Sequence, residues 1–211
     1  MAGTTSRVHA LEVGVAGATF QGEPASGDVH VVQPREDGVL IAVVDGLGHG
    51  GEAREAAQRA AAELRAPSDG SMIALVRRCH AVLTGTRGVV MSLAWFSFVD
   101  ETMTWLGVGN VAGVLVRADP ASFPRREGLV VRGGIIGAQL PLLHAAVTSI
   151  KAGDMLVFAT DGIRVAFFER IEPAMPPQQL AERILAEYGK GTDDALVVTA
   201  RYRGTTSGPG A

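Results

Sequence analysis

Short apolar runs separated by turn residues dominate the first part of the chain. Leu11 to Thr19, Asp28 to Gln33, Val39 to Val44 and Val89 to Val99 read as strands, the second closed by Pro34 and Asp37-Gly38. Val39 to Val44 is apolar at every position, the pattern of a strand covered on both faces rather than one with a wet side. From Gly51 to Leu64 the chain becomes alanine-rich, with acidic residues early and Pro67 just beyond, which predicts a helix. A second helix follows, because Met72, Leu75, Val76, Cys79, Val82 and Leu83 recur at helical spacing, with Ser68, Asp69 and Ser71 as candidate caps.

The strand pattern then returns. Thr102 to Val108 and Val111 to Arg117 flank Gly109-Asn110, which predicts a β-hairpin. Asp119 to Glu127 reads as a polar loop. Further strands are expected at Leu129 to Arg132, Ala145 to Ile150 and Met155 to Thr160, then a helix from Pro177 to Tyr188 and a last strand from Ala195 to Tyr202. Strands, two helices, strands, a helix and a strand suggest α+β layering rather than alternating βαβ units. A single domain over 8–203 is expected, with small, flexible ends at 1–7 and 204–211.

Composition narrows the classes. Of 211 residues, 47% are hydrophobic and 19% charged, which excludes a disordered chain and suits one large core. A net charge of -3 supplies no global basic field, so nucleic acid is not an expected partner. The uncharged stretches Thr102 to Val116 and Gly133 to Ile150 raise the question of a membrane, but glycines break the first, and Gly137, Gln139, Pro141 and His144 break the second. No membrane association is expected. One cysteine, Cys79, leaves no internal disulfide and no multi-cysteine zinc site, and no apolar leader is readable at the start; both fit a cytoplasmic protein.

The candidate chemistry lies at strand edges. Val43-Val44-Asp45-Gly46, Ala159-Thr160-Asp161-Gly162 and Thr192-Asp193-Asp194-Ala195 each bring aspartate to the border of an apolar strand, and Asp28 follows Gly27 at the start of another. Any one Asp-Gly is an ordinary turn. Carboxylates gathered from several strand ends repel one another unless a cation neutralises them, and oxygen-only donors select hard cations such as Mg²⁺ or Mn²⁺.

Ser26-Gly27-Asp28, VVDGLGHG from Val43 to Gly50, FATDG from Phe158 to Gly162, and Asp193-Asp194 followed by ALVV resemble the PPM-type metal-dependent serine/threonine phosphatases. The bacterial branch containing SpoIIE, RsbU and RsbX is the nearest match, and the resemblance runs from about Val8 to Arg203. It implies an αββα sandwich, two central, mainly antiparallel sheets flanked by helices, with two Mn²⁺ or Mg²⁺ ions at one end. Carried over by motif, Asp45 would bridge both ions and Gly46 would offer its backbone carbonyl. Asp161 and Asp193 would be ligands, Asp28 a ligand or an acceptor for bound water, and Asp194 an orienting neighbour. Paired cations acidify a bridging water for in-line attack on phosphorus, so Asp45 and Asp161 are the expected catalytic carboxylates.

The chain also departs from the larger phosphatases. Leu47 stands where they carry a histidine after the metal-binding Asp-Gly, which leaves His49 as a candidate general acid, an anchor for the site, or a cap of the following helix. There is no arginine between Arg7 and Arg35 to match their phosphate-binding arginine, and Val165 replaces an acidic ligand of a third ion. Asn110 is expected to serve as a hairpin turn, although the family keeps a glycine-rich turn near its site. His9, His30, His80 and His144 are read as ordinary placements, and Trp95, Phe96 and Phe98 as packing residues.

The first motif begins at Gly27, so a bare catalytic domain is expected, as in RsbX. The implied partners are phosphorylated STAS-domain proteins of the RsbS and RsbR type in the stressosome. Two alternatives are an RsbU-like role on a phosphorylated anti-anti-sigma factor and a catalytically silent STAS-binding module. Another two-metal phosphoesterase would usually show histidine ligands, which these motifs lack.

Overall fold

The computed structural model describes residues 10–48, 50–67 and 70–205. The expected flexible ends fall almost wholly outside these residues, as do His9, His49 and the candidate caps Ser68 and Asp69.

Eleven strands, β1 (Leu11–Ala18), β2 (Asp28–Arg35), β3 (Gly38–Gly46), β4 (Val89–Ser97), β5 (Thr102–Val108), β6 (Ala112–Val116), β7 (Arg126–Gly128), β8 (Val131–Arg132), β9 (Ala146–Ser149), β10 (Met155–Ala159) and β11 (Ala195–Tyr202), form two sheets among the described residues. One has the order β1-β11-β10-β6-β7; the other runs β2-β3-β4-β5-β8, with β9 also on β5. All pairs are antiparallel except β5 with β8. Helices α1 (Gly51–Arg65) and α2 (Met72–Leu83) cover the second sheet, and α3 (Pro177–Tyr188) covers the first.

Strand β3 shows why the apolar runs are continuous. Val39, Ile41 and Val43 belong to the core between the sheets, whereas Leu40, Ala42 and Val44 pack under α1 and α2. Strand β11 does the same on the other side. Leu196, Val198 and Ala200 face the partner sheet, and Ala195 and Val197 face α3. The period of two therefore separates two apolar environments rather than core from water. The outcome is the four-layer αββα sandwich expected from the sequence. No helix among the described residues is long and apolar enough to cross a membrane.

Buried alanines, Ala53, Ala56, Ala57, Ala60 and Ala61, form the inner face of α1. Their small side chains let the helix sit close to β3, and a Cβ on Gly46 would stand 2.1 Å from the Ala53 carbonyl oxygen. That contact explains why the last strand residue must be glycine. Ser71 caps α2, its Oγ accepting from the Ala74 amide at 3.3 Å.

Two expectations need correction, and one element is additional. Thr102–Val108 and Ala112–Val116 do not form a hairpin: β5 pairs with β4, β8 and β9, and β6 pairs with β10 and β7. Gly109, at φ 99°, donates its amide to Arg132 O at 2.8 Å, and the chain passes there from one sheet to the other. A Gly-Asn turn has the same local chemistry whether the strands it joins pair or part. Strand β7 begins inside the expected polar loop, at Arg126, and a 3₁₀ helix at Val165–Arg170 was not anticipated.

Candidate functional site

The odd positions of β3 that face the partner sheet continue from Val39, Ile41 and Val43 to Asp45, the last side chain on that face before Gly46. Opposite Asp45 on β2 stands Asp28, its antiparallel partner, so the two carboxylates share one face. Asp161 follows β10, and Asp193-Asp194 precede β11, at the same end of the other sheet. All the aspartates expected from sequence thus converge where the two sheets meet.

A cleft of about 200 Å³ opens there, lined by Asp45, Asp161 and Asp193 with Phe20, Leu47, Gly48, Asn110 and Thr192. Among the described residues no lysine or arginine is in that lining. Asp45 and Asp28 are half-buried, and the charged form of each is disfavoured. Burial pushes the Asp45 carboxyl up to about 8, and the neighbouring carboxylates of Asp28, Asp161, Asp193 and Asp194 add to the rise. Burial likewise lifts Asp28 to about 7, against the pull of its hydrogen bond from Thr160, with Asp194, Asp161 and Asp193 raising it further.

The carboxylates differ in how they are held. Thr160, itself buried, donates from Oγ1 to Asp28 Oδ2 at 2.7 Å and accepts the Leu196 amide at 2.9 Å, which ties the two sheets together at the site. Asn110 Nδ2 donates to Asp161 Oδ2 at 2.8 Å. Asp194 is buried and accepts the amides of Phe20 and Gly27, both at 2.7 Å, fixing the loop between β1 and β2. Asp193 is exposed, with Oδ1 accepting the Asp194 amide at 2.9 Å.

Two residues of this arrangement escape motif reading. Asn110 was expected as a hairpin turn and instead holds a site carboxylate; its proximity in sequence to a glycine-rich turn was the available signal. Thr160 sits inside the FATDG motif beside Asp161, and its hydroxyl was overlooked because the strand pattern absorbed it. His49, the candidate general acid, lies outside the described residues.

The donor set suits a hard divalent cation. The lining offers the carboxylates of Asp45, Asp161 and Asp193, whose mutual repulsion no basic side chain among the described lining residues offsets. Among the described residues no three carboxylate or imidazole side chains crowd closely enough to enclose an ion by themselves. Ions here would be completed by water and main-chain oxygen, the coordination Mg²⁺ usually prefers.

Comparison with known proteins places the chain among phosphatases. Residues 35–203 match the family model described as Stage II sporulation protein E (SpoIIE). The phosphoserine phosphatase RsbX of Bacillus subtilis (strain 168) is 28% identical over 148 residues, covering 69% of this chain and 71% of its own. A chain from a bacterial stressosome structure, 30% identical, superposes with a TM-score of 0.81 over 90% of this chain and 99% of its own. RsbX in complex with magnesium, 18% identical, superposes at 0.80 over 91% and 95%. The fold is that of the PPM phosphatases.

Proposed function

The chain belongs to the SpoIIE family, and from that premise we propose that it is a metal-dependent protein serine/threonine phosphatase working in stressosome signalling. The supporting likenesses are to RsbX, a phosphoserine phosphatase, and to a protein of a bacterial stressosome structure. Its substrates, on this reading, are phosphorylated STAS-domain proteins of the RsbS and RsbR type, which it returns to the unphosphorylated state in the cytoplasm.

The single observation that carries the mechanism is the convergence of Asp28, Asp45, Asp161 and Asp193 on one sheet junction whose cleft lining, among the described residues, contains no cationic side chain. Asp45, the Gly46 carbonyl, Asp161 and Asp193 would hold two divalent cations, Mn²⁺ or Mg²⁺, with Asp28 as a further ligand or an acceptor for bound water. Bound there, the ions would supply an acidified water and neutralise phosphoryl oxygens. The protein's own residues orient the donors. Asn110 occupies one oxygen of Asp161 and leaves the other to the cleft. Thr160 holds Asp28 beside Asp45 by donating to its Oδ2. Asp194 fixes the backbone of Phe20, which lines the cleft.

Incubation of a phosphorylated STAS protein with the purified chain and Mn²⁺, with and without chelator, tests the reading. Phosphate release that chelator abolishes, and that Asp45→Ala and Asp161→Ala lack, supports it. An inert wild-type protein, or fully active variants, refutes it.

A further inference from the structure

A phosphorylated substrate brings its own negative charge to a cleft already lined by Asp45, Asp161 and Asp193. Just outside that lining stands a guanidinium, that of Arg87. Arg87 lies in the turn before β4, and its Nη1 is 2.7 Å from the point where a Cβ on Gly48, a cleft residue, would be. The turn is pinned on both sides of Arg87. Thr86 donates from Oγ1 to Leu83 O at 2.7 Å and accepts the Gly88 amide at 3.1 Å, and the Leu47 amide donates to Gly88 O at 3.2 Å. The backbone bond from Leu47 to Gly88 therefore holds the Arg87 turn against the loop that follows Asp45.

The side chain is about half exposed, 52% by area, and Nε bonds Glu52 Oε2 at 2.5 Å. Among the described residues neither terminal nitrogen has a hydrogen-bond acceptor, and Nη1 is the one that lies against Gly48. Exposed ion pairs contribute little to stability, whereas an arginine fork matches the spacing of two phosphoryl oxygens. We propose that Arg87 binds the phosphoryl group of the substrate at the cleft rim, beside Gly48, independently of its exposed pairing with Glu52. This rests on the phosphatase reading and names the group that recognises its phosphate.

Arg87→Ala, Arg87→Lys and Glu52→Gln, compared with wild type, separate this role from a structural one. With Mn²⁺ present, the measurements are KM and kcat for a phosphorylated protein and for p-nitrophenyl phosphate, inhibition by inorganic phosphate, and calorimetric binding of inorganic phosphate. Arg87→Ala is expected to raise KM and the phosphate inhibition constant about 10-fold or more, Arg87→Lys to recover part of the loss, and Glu52→Gln to leave phosphate inhibition within about two-fold. The Mn²⁺ concentration that half-stabilises the fold should not move. Unchanged phosphate affinity in Arg87→Ala overturns the inference, as does a Glu52→Gln variant that copies Arg87→Ala. A wild type that releases no phosphate from either substrate refutes the phosphatase reading instead, and phosphate calorimetry on the same proteins then still decides for or against Arg87.

Discussion

Asp45→Asn should make the metal-free protein more stable at alkaline pH, although it removes a residue central to the proposed chemistry. The carboxyl is lifted from 3.8 to about 8 in the folded chain. Its contribution to stability is therefore fully present below pH 3.8 and is lost as pH rises through about 8, because the folded state keeps a proton that the unfolded state releases. At ~1.36 kcal/mol per pH unit, ionising it in the folded state costs at most about 6 kcal/mol. Water still reaches part of the side chain, and screening reduces the expected difference to ~2–3 kcal/mol. For a chain of 211 residues, that is a rise of ~5–10 °C in Tm at pH 9. Thermal unfolding followed by circular dichroism in chelator, from pH 5 to pH 9, is the assay. The wild-type Tm should fall across this range more steeply than that of Asp45→Asn. Added Mg²⁺ or Mn²⁺ should restore the wild type and do little for the variant. Parallel curves, or a variant less stable than wild type at pH 9 without metal, would refute the repulsion argument.

Other sites give sharper local tests. Thr160→Val leaves Asp28 Oδ2 and the Leu196 amide without their hydroxyl partner, and should cost about 2–3 kcal/mol in urea denaturation; a loss below ~0.5 kcal/mol would show that the sheets do not depend on that bridge. Asn110→Ala frees Asp161 Oδ2 and should lower kcat about 10-fold while the Tm stays within a few degrees, read by steady-state kinetics beside a melting curve. Asp194→Ala releases the amides of Phe20 and Gly27 and should make the loop between β1 and β2 the first site of cleavage in limited proteolysis.

Much of this architecture is written in local periodicity. The unbroken apolar run of β3 announces a strand covered on both faces, and it ends in Asp45-Gly46 because the helix that follows comes too close for any side chain at Gly46. The site aspartates were legible for the same reason: a charge at the border of an apolar strand is conspicuous. Residues acting across the sandwich were not. Asn110 and Asp161 are 51 positions apart, and Thr160 and Asp28 are 132 apart, so neither bond leaves a trace in spacing. Gly109-Asn110 carries hairpin chemistry without forming a hairpin, because turn residues fix a reversal of the chain but not which strand each arm pairs with. Arg87 was passed over for a related reason. It is an isolated charge in a turn, and only the pairing of β3 with β4, which sets Gly46 opposite Val89, brings it to the cleft.

Phosphate release from a phosphorylated STAS protein in Mn²⁺ tests the central claim most directly, since it requires the aspartate cluster, the cation and the substrate class together. The account predicts steady turnover by the wild type, abolished by chelator, restored by excess Mn²⁺ and lost by at least ~100-fold in Asp45→Ala and Asp161→Ala. Turnover that persists in chelator, or in either variant, would contradict it.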